Sequence, residues 1–340
     1  MNASMTGGPR RRPIRTVFFG TPSFAVPVLK TLMEEPAINV CLVVTRPDRL
    51  AGRGRRLTGS PVKELADRLR IATYQPETFR DETARAPLLG CRPDLFVVAA
   101  FGLVFGKKTL AIPRLGSINV HGSLLPAYRG ASPIAAVLLS GDRETGASLM
   151  VMKPGLDTGP VIDRDVTPIL PNATSETLTE AVSHVGATLV QRSLVRFADG
   201  EVAATPQDDL HATLTRPLRK DDGWINWDKP AIHLERQVRA MWPWPRAWTT
   251  IDGELLQIHA SRVVEPQAHG PAGTVDDGSG RFDVTTGAGM LRLATVQPSS
   301  RAPMSGDAFI AGRSIRSGAR LGDTGAPSQR SPIVIRVTGS

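Results

Sequence analysis

Residues 118–133 read INVHGSLLPAYRGASP. The run that leads into them, Gly116–His121 (GSINVH), is apolar enough to be a buried strand, and successive strand side chains point to opposite faces. Asn119 and His121 therefore share one face and Val120 takes the other. The strand should stop at Gly122, and Ala131–Leu139 reads as the helix that follows. Working outward, the same alternation repeats. Upstream lie three apolar runs, Arg15–Gly20 (RTVFFG), Asn39–Thr45 (NVCLVVT) and Asp94–Ala100 (DLFVVAA), each short enough to be a strand covered on both faces. Between them Ser23–Glu35 has helical spacing through Phe24, Val28 and Leu32. Ser60 before Pro61 signals a helix start that should run to Arg70. Downstream, Ala147–Met152 reads as a strand, Val161–Val166 as a more exposed one, and Thr174–Phe197 as a long helix capped by Thr174 or Ser175. Strands and helices of these lengths in alternation imply βαβ units. The expected fold of residues 15–198 is α/β, a Rossmann-like, mostly parallel sheet with helices on both faces.

Near residue 200 the texture changes. Asp199–Pro217 is polar and irregular, so 199–207 is expected to be a linker. Residues 208–312 then hold one amphipathic helix, Ala231–Met241, and short strand-like runs at Ala247–Ile251, Leu255–Val264, Gly273–Val275, Phe282–Thr285 and Leu291–Val296. Even spacing of short strands with Gly-rich turns predicts a small barrel or sandwich. Residues 1–14 read as a disordered basic tail. Residues 313–340 lack an apolar pattern and are expected to form a loose tail. No internal repeat is present.

The 340 residues are 41% hydrophobic and 21% charged, an ordinary composition for a folded chain of about two domains. No run approaches the ~20 apolar residues of a membrane-spanning helix, so no membrane partner is expected. The two cysteines, Cys41 and Cys91, make neither a CxxC pair nor a disulfide framework and fit a reduced, cytoplasmic setting. The net charge of +9 is uneven: residues 1–60 hold ten Lys and Arg against three Asp and Glu, whereas residues 61–204 hold fifteen of each. An arginine-rich N-terminal region attracts polyanions, so nucleic acid is a plausible partner on charge grounds. Arg46–Ser60 carries much of this charge, has no periodicity, and reads as an exposed loop.

Neither GxGxxG nor GxxxxGK[ST] follows the first strand, which argues against a dinucleotide or nucleoside triphosphate there. The six histidines show no metal-ligand spacing, and no metal is expected. What remains is a polar constellation. Asn119 and His121 sit at the end of a parallel strand, where open α/β sheets bind ligands. Asp157 lies between glycines in Lys153–Pro160 (KPGLDTGP), just past the strand ending at Met152. A carboxylate there can orient an imidazole or take a proton; alone, it reads equally as a turn residue capping its own backbone. Together an amide, an imidazole and a carboxylate suit acyl transfer to an amine through a tetrahedral oxyanion, with no covalent enzyme intermediate. Ser123 lacks the GxSxG elbow, so a serine-hydrolase reading is weak.

FFGTPSFA, TRPDRLAGRGRR, SPVKELA, VVAAFG, INVHGSLLPAYRGASPI, GLDTG and PWPRAW, in that order from about residue 15 to about 310, resemble the methionyl-tRNA formyltransferase family of the formyltetrahydrofolate-using superfamily. The resemblance implies that Asn119, His121 and Asp157 are catalytic. It implies that Ser123, Leu124, Leu125 and Pro126 contact tetrahydrofolate, and that the pterin meets the backbone near Val97, Ala99 and Phe101. It also implies 10-formyltetrahydrofolate as donor, initiator methionyl-tRNA as acceptor, an OB-like β-barrel for residues 208–312, and the loop arginines Arg49, Arg53, Arg55 and Arg56 as tRNA contacts. A flexible basic loop ordering on RNA is physically reasonable. A monomer is expected. Lys153 departs from the pattern, standing where an acidic residue is expected. The C-terminal part is only slightly basic, which leaves its tRNA footprint open. Trp242, Trp244 and Trp248 suit either base stacking or packing against a helix, with packing the expectation. Three rivals share the residues: a formyltransferase acting on another amine, a formyltetrahydrofolate hydrolase, and an RNA-binding protein on an inactive scaffold.

Overall fold

The computed structural model describes residues 12–51, 56–265, 270–276, 280–313, 315, 317–322, 324–327 and 331–336. The first half runs β1 (Ile14–Gly20), α1 (Ala25–Glu34), β2 (Ile38–Val44), β3 (Arg49–Ala51), β4 (Arg56–Thr58), α2 (Pro61–Arg68), β5 (Thr73–Tyr74), α3 (Glu82–Gly90), β6 (Leu95–Ala99), α4 (Lys107–Leu110), β7 (Ser117–His121), β8 (Arg129–Gly130), α5 (Pro133–Ser140), β9 (Glu144–Val151), β10 (Val161–Pro168) and α6 (Ser175–Ala198). Seven of these strands form one sheet in the order β10-β9-β7-β6-β1-β2-β5. The five strands from β7 to β5 are parallel.

The alternation of β1 shows how one strand serves two cores. Val17 and Phe19 enter an apolar layer with Leu88 of α3, and Phe18 enters the opposite layer with Val28 and Leu32 of α1 and Leu189 of α6. Helices thus cover both faces, as the continuous apolar runs require. Ser60 accepts a hydrogen bond from Lys63 N and caps α2, and Thr174 caps α6 through Thr177 N. On α6, Gly186 lets the helix close onto β7: a Cβ there would lie 2.6 Å from Val120 Cγ1. Val120 is thereby buried against α6, and Asn119 and His121 are left to the other face.

Three expectations need correction. The strand preceding Asp157 is not parallel. Strand β9 runs antiparallel to β7, so Val151 at the end of β9 lies beside Ile118 at the start of β7, and β10, antiparallel to β9, points the same way as the parallel strands. The Arg46–Ser60 stretch is not simply a loop, because β3 and β4 pair as a hairpin with Arg49 opposite Thr58 and Ala51 opposite Arg56. Hydrogen bonding between short polar strands leaves no hydrophobic period to read.

The third correction concerns the second half. It holds β11 (Thr213–Thr215), α7 (Ala231–Ala240), β12 (Ala247–Ile251), β13 (Glu254–Glu265), β14 (Val275–Asp276), β15 (Asp283–Thr285), β16 (Met290–Pro298), β17 (Met304–Ser305), α8 (Gly306–Arg313) and β18 (Val334–Arg336). An antiparallel sheet runs β12-β13-β16-β15-β14, with β17 on β16. Residues 318–322 bridge its two edges. Val275 N donates to Ala319 O at 2.8 Å and Leu321 N to Gly273 O at 2.8 Å on one side; Gly322 N donates to Thr250 O at 2.8 Å on the other. Bridges Thr274–Arg320 and Ile251–Leu321 complete the circuit. The segment expected to be a loose tail therefore closes the barrel, and Leu321 joins its core with Ile251, Leu293 and Phe309. Strand β11, in the stretch read as polar and irregular, lies between β8 and β18, parallel to the first and antiparallel to the second.

Candidate active site

The loop after β9 turns back across the end of β7 and brings Asp157 to the face that carries Asn119 and His121. Asp157 Oδ2 accepts a 2.8 Å hydrogen bond from Gly130 N. The same oxygen lies 3.5 Å from His121 Nδ1, and Oδ1 lies 3.5 Å from Asn119 Nδ2. The Gly130 bond is the anchor; the two longer contacts place the imidazole and the amide beside the carboxylate without a close hydrogen bond. On its other side, His121 Nε2 lies 3.0 Å from Tyr128 O, which can only accept, so that nitrogen carries a proton.

The loop geometry depends on its glycines. A Cβ on Gly159 would lie 1.7 Å from Val151 O, so only glycine lets the loop double back along β9. Asp157 itself adopts φ 53°, a left-handed conformation that aspartate tolerates better than most residues. Gly130 has φ 107°, and a Cβ there would meet Thr215 O at 2.2 Å.

His121 is 6% exposed, and the Asp157 side chain 17%. The Tyr128 phenol donates to Asp142 Oδ2 at 2.8 Å. Burial pushes that phenol up to about 12, with Asp142 adding to the rise and Ser140 opposing it, so it stays protonated. Among the described residues no group of His, Cys, Asp and Glu is placed to hold a metal ion.

The other sequence-derived residues fare unevenly. Ser123 is buried and donates its hydroxyl to Ala127 O at 2.6 Å. Leu125 is in the core, its N–H donating to Ser148 Oγ and its carbonyl accepting from Arg164. The Leu125–Pro126 peptide is cis. This turn is thus braced internally, with Leu124 and Pro126 left partly exposed on it. Val97 and Ala99 are fully buried in β6, between β1 on one side and β7 on the other, so their side chains are closed to a ligand. Phe101 is nearly buried in an aromatic cluster with Phe19, Phe79 and Phe105. Beyond β6 the chain opens at Ala100 and Gly102, both exposed and at positive φ, and this is the accessible end of the strand. Arg49 is exposed on β3, Arg56 lies on β4, and Arg53 and Arg55 fall outside the described residues. Lys153 is exposed. Trp248 packs edge-on against Trp224, whereas Trp242 lies under the Arg246 guanidinium and Trp244 is 57% exposed.

Sequence reasoning missed Gly130, Tyr128, Arg129 and Gln207. The first three stand in a stretch singled out for other residues. Gln207 sits in a polar linker that offers no periodic or motif signal. A cleft of about 450 Å³ between α5, α7 and β13, lined by Arg143, Arg236, Arg239 and Arg262, lies apart from the trio and contains none of its members.

The arrangement offers an N–H donor pair from Asn119, an imidazole able to give or take a proton, and a carboxylate fixed beside both. That set can polarise a carbonyl oxygen and manage the proton of an attacking amine.

Comparison with known proteins gives the same chemistry a family context. A family model described as formyl transferase matches residues 14–194, and one described as formyl transferase, C-terminal domain, matches residues 217–314. The methionyl-tRNA formyltransferase of Roseiflexus sp. is 43% identical over 315 residues, 92% of this chain and 97% of the relative. That of Methylococcus capsulatus is 38% identical over 309 residues, 91% of this chain and all of the relative. Among solved structures, the N-formyltransferase of Helicobacter canadensis, in complex with folinic acid and dTDP-3-aminofucose, superposes with a TM-score of 0.62 at 17% identity, covering 84% of this chain and 99% of that one.

Proposed function

The chain belongs to the formyl transferase family, and we propose that it transfers the formyl group of 10-formyltetrahydrofolate to the amino group of initiator methionyl-tRNA. The amine attacks the formyl carbon and forms a tetrahedral intermediate whose oxyanion takes hydrogen bonds from Asn119 and His121. The bond from that carbon to the folate N10 then breaks, and the proton lost by the amine reaches N10 by way of His121 and Asp157. The observation that carries this reading is the anchoring of Asp157 by Gly130 N beside both Asn119 and His121. One preorganised donor to an oxyanion lowers a barrier by about 3–4 kcal/mol.

The folate is proposed to lie along the Leu124–Pro126 turn, with its pterin against the backbone at the end of β6 near Val97–Phe101, where the chain opens at Ala100–Gly102. The β3–β4 hairpin, with Arg49 and Arg56 and the intervening Arg53 and Arg55, is proposed to contact the tRNA. The division into a formyltransferase unit at 15–198 and a second unit beginning at 208 is part of the proposal, with the second unit extended past 312 by its closing segment. The protein is proposed to act as a monomer in the cytoplasm; among the described residues no helix is long and apolar enough to cross a membrane.

The test is a formylation assay with 10-formyltetrahydrofolate and, in parallel, charged initiator tRNA, charged elongator tRNA and a small amine. Turnover is expected with methionyl initiator tRNA. Asp157→Asn should lose at least about a hundredfold in turnover while tRNA affinity stays near normal. Normal turnover in that variant refutes the trio. Faster formylation of the small amine than of the tRNA refutes the acceptor.

A further inference from the structure

We infer that Gln207, held in place by Arg129, is a positioning residue for Asp157, so that the segment joining the two halves of the chain sets the geometry of the reaction. This rests on the formyl-transfer reading above.

Gln207 Nε2 donates to Asp157 O at 2.8 Å and to Gly159 O at 2.7 Å. Both acceptors are carbonyls, so both amide protons are used. Its Oε1 accepts from Arg129 Nε at 2.9 Å. An arginine can only donate, so the amide has one orientation: oxygen toward Arg129, nitrogen toward the loop. Arg129 is itself buried, and its Nη2 is braced by Asp209 Oδ1 at 2.7 Å. Two residues earlier the linker and the loop pair through their backbones, Val161 N to Thr205 O and Thr205 N to Val161 O, each 2.8 Å. The loop from Asp157 to Val161 is therefore gripped along its length by residues 205–207. Such a grip matches a loop holding an aspartate at φ 53°, a conformation that persists only where surrounding contacts over-determine it.

The same segment reaches the other members of the site. Strand β11 lies against β8, where Thr215 Oγ1 donates to Arg129 O at 3.0 Å and Thr213 Oγ1 accepts from Tyr128 N at 2.7 Å. Tyr128 O faces His121 and Gly130 N anchors Asp157, so residues 205–215 back both catalytic partners. Gln207 reaches main-chain carbonyls and not the reacting groups. Its effect is expected on the alignment of the Asp157 carboxylate rather than on binding.

The experiment uses the full-length protein and compares Gln207→Glu, Gln207→Met and the parent. Glutamate keeps the volume and the acceptor for Arg129 but has neither donor. Methionine removes both donors without adding charge. Both variants are expected to lose roughly tenfold to a hundredfold in kcat, the scale of a misaligned catalytic group, with KM for methionyl-tRNA and for 10-formyltetrahydrofolate nearly unchanged. Gln207→Glu should melt a few degrees below the parent at most, because it loses both loop donors but keeps the bond to Arg129. Amide hydrogen exchange across residues 157–161 should accelerate in both variants. Parental kcat in either variant, or a loss confined to KM or to melting temperature, overturns the inference. Unchanged exchange in residues 157–161 overturns it whatever the activity. A parent that turns over no methionyl-tRNA refutes the functional reading instead, and the exchange result still decides the clamp.

Discussion

Replacing Gly130 with alanine tests the anchor of the site with a single methyl group. At φ 107° an L-residue is strained, and the new Cβ would stand 2.2 Å from Thr215 O, a distance no side chain can adopt. Either β8 separates from β11 or the peptide at 130 rotates. Both movements carry Gly130 N away from Asp157 Oδ2, its 2.8 Å acceptor. A hydrogen bond to a charged acceptor contributes about 1.5–3 kcal/mol. If that energy is what aligns the carboxylate, its loss corresponds to roughly a ten- to hundredfold fall in rate. Gly116→Ala is the control: Gly116 has φ 91°, but a Cβ there meets nothing within 4 Å. It carries the backbone strain without the collision and without touching Asp157. Single-turnover formylation with saturating substrates, read beside a thermal melt, separates the two effects. Gly130→Ala should lower the rate and Gly116→Ala only the melting temperature. A Gly130→Ala protein that transfers formyl at the parental rate would show that the backbone amide does not hold Asp157, and the anchored site would fall with it.

Leu321→Ala should destabilise the barrel by about 2–5 kcal/mol, the usual cost of truncating a buried leucine, and lower its melting temperature by about ten degrees; a melt indistinguishable from the parent's would mean that residues 318–322 do not close it. Arg49→Ala with Arg56→Ala should raise KM for methionyl-tRNA and flatten the dependence of log KM on log salt by about one for each phosphate no longer neutralised, and an unchanged slope would remove the hairpin from the RNA interface. Acid should destabilise the fold in two steps. Burial, aided by Lys229 and Arg236 for His233 and by Arg246 for His259, pulls both imidazoles below their ordinary 6.5. The folded state then binds these protons less readily than the unfolded chain, so this stability is intact above pH 6.5 and is lost as pH falls below it. Burial alone would raise Asp94, Asp163 and Asp222, but hydrogen bonds from Arg15 N and Arg114, from Arg192 and Ser193, and from Arg216 outweigh it and hold all three below 3.8. Their contribution is lost as pH drops below that value. Urea midpoints measured from about pH 8 to about pH 3 should decline through both windows, and a rise on acidification through the histidine window would contradict the assignment.

The central sheet was legible because its strands are covered on both faces and therefore read as unbroken apolar runs. VFFG, CLVV and LFVVA need no partner information to be recognised. The pairing of Asn119 with His121 was legible for the same reason, since period two is a property of one strand. Strand direction was not legible. Nothing in ASLMV distinguishes a parallel from an antiparallel neighbour, because direction is set by the connection and not by the strand. The barrel's closing segment escaped for a different reason. Residues 318–322 bond almost entirely through their backbones, and a single leucine reports their burial. Gln207 escaped because a side-chain amide satisfying two carbonyls is written in three dimensions only.

The placement of Asp157 shows why those omissions matter for chemistry. A carboxylate at the end of a parallel strand would be held by that strand's ladder. Here the ladder ends at Val151, at the opposite end of β7 from His121, and Asp157 returns along a loop with no strand of its own. Its position is then the sum of contacts from elsewhere: Gly130 on the carboxylate, Gln207 on the carbonyl, and the Thr205–Val161 pair behind. The first of these contacts depends on β11 lying against β8, and the other two on linker residues just ahead of it. A displacement of the linker by an ångström would shift the acceptor of His121 and the donor to Asp157 together, and proximity catalysis is lost on that length scale. The linker therefore cannot be a passive tether. Its order is a condition of the geometry, which is why substitutions there should act on kcat although none of its side chains meets the reacting atoms.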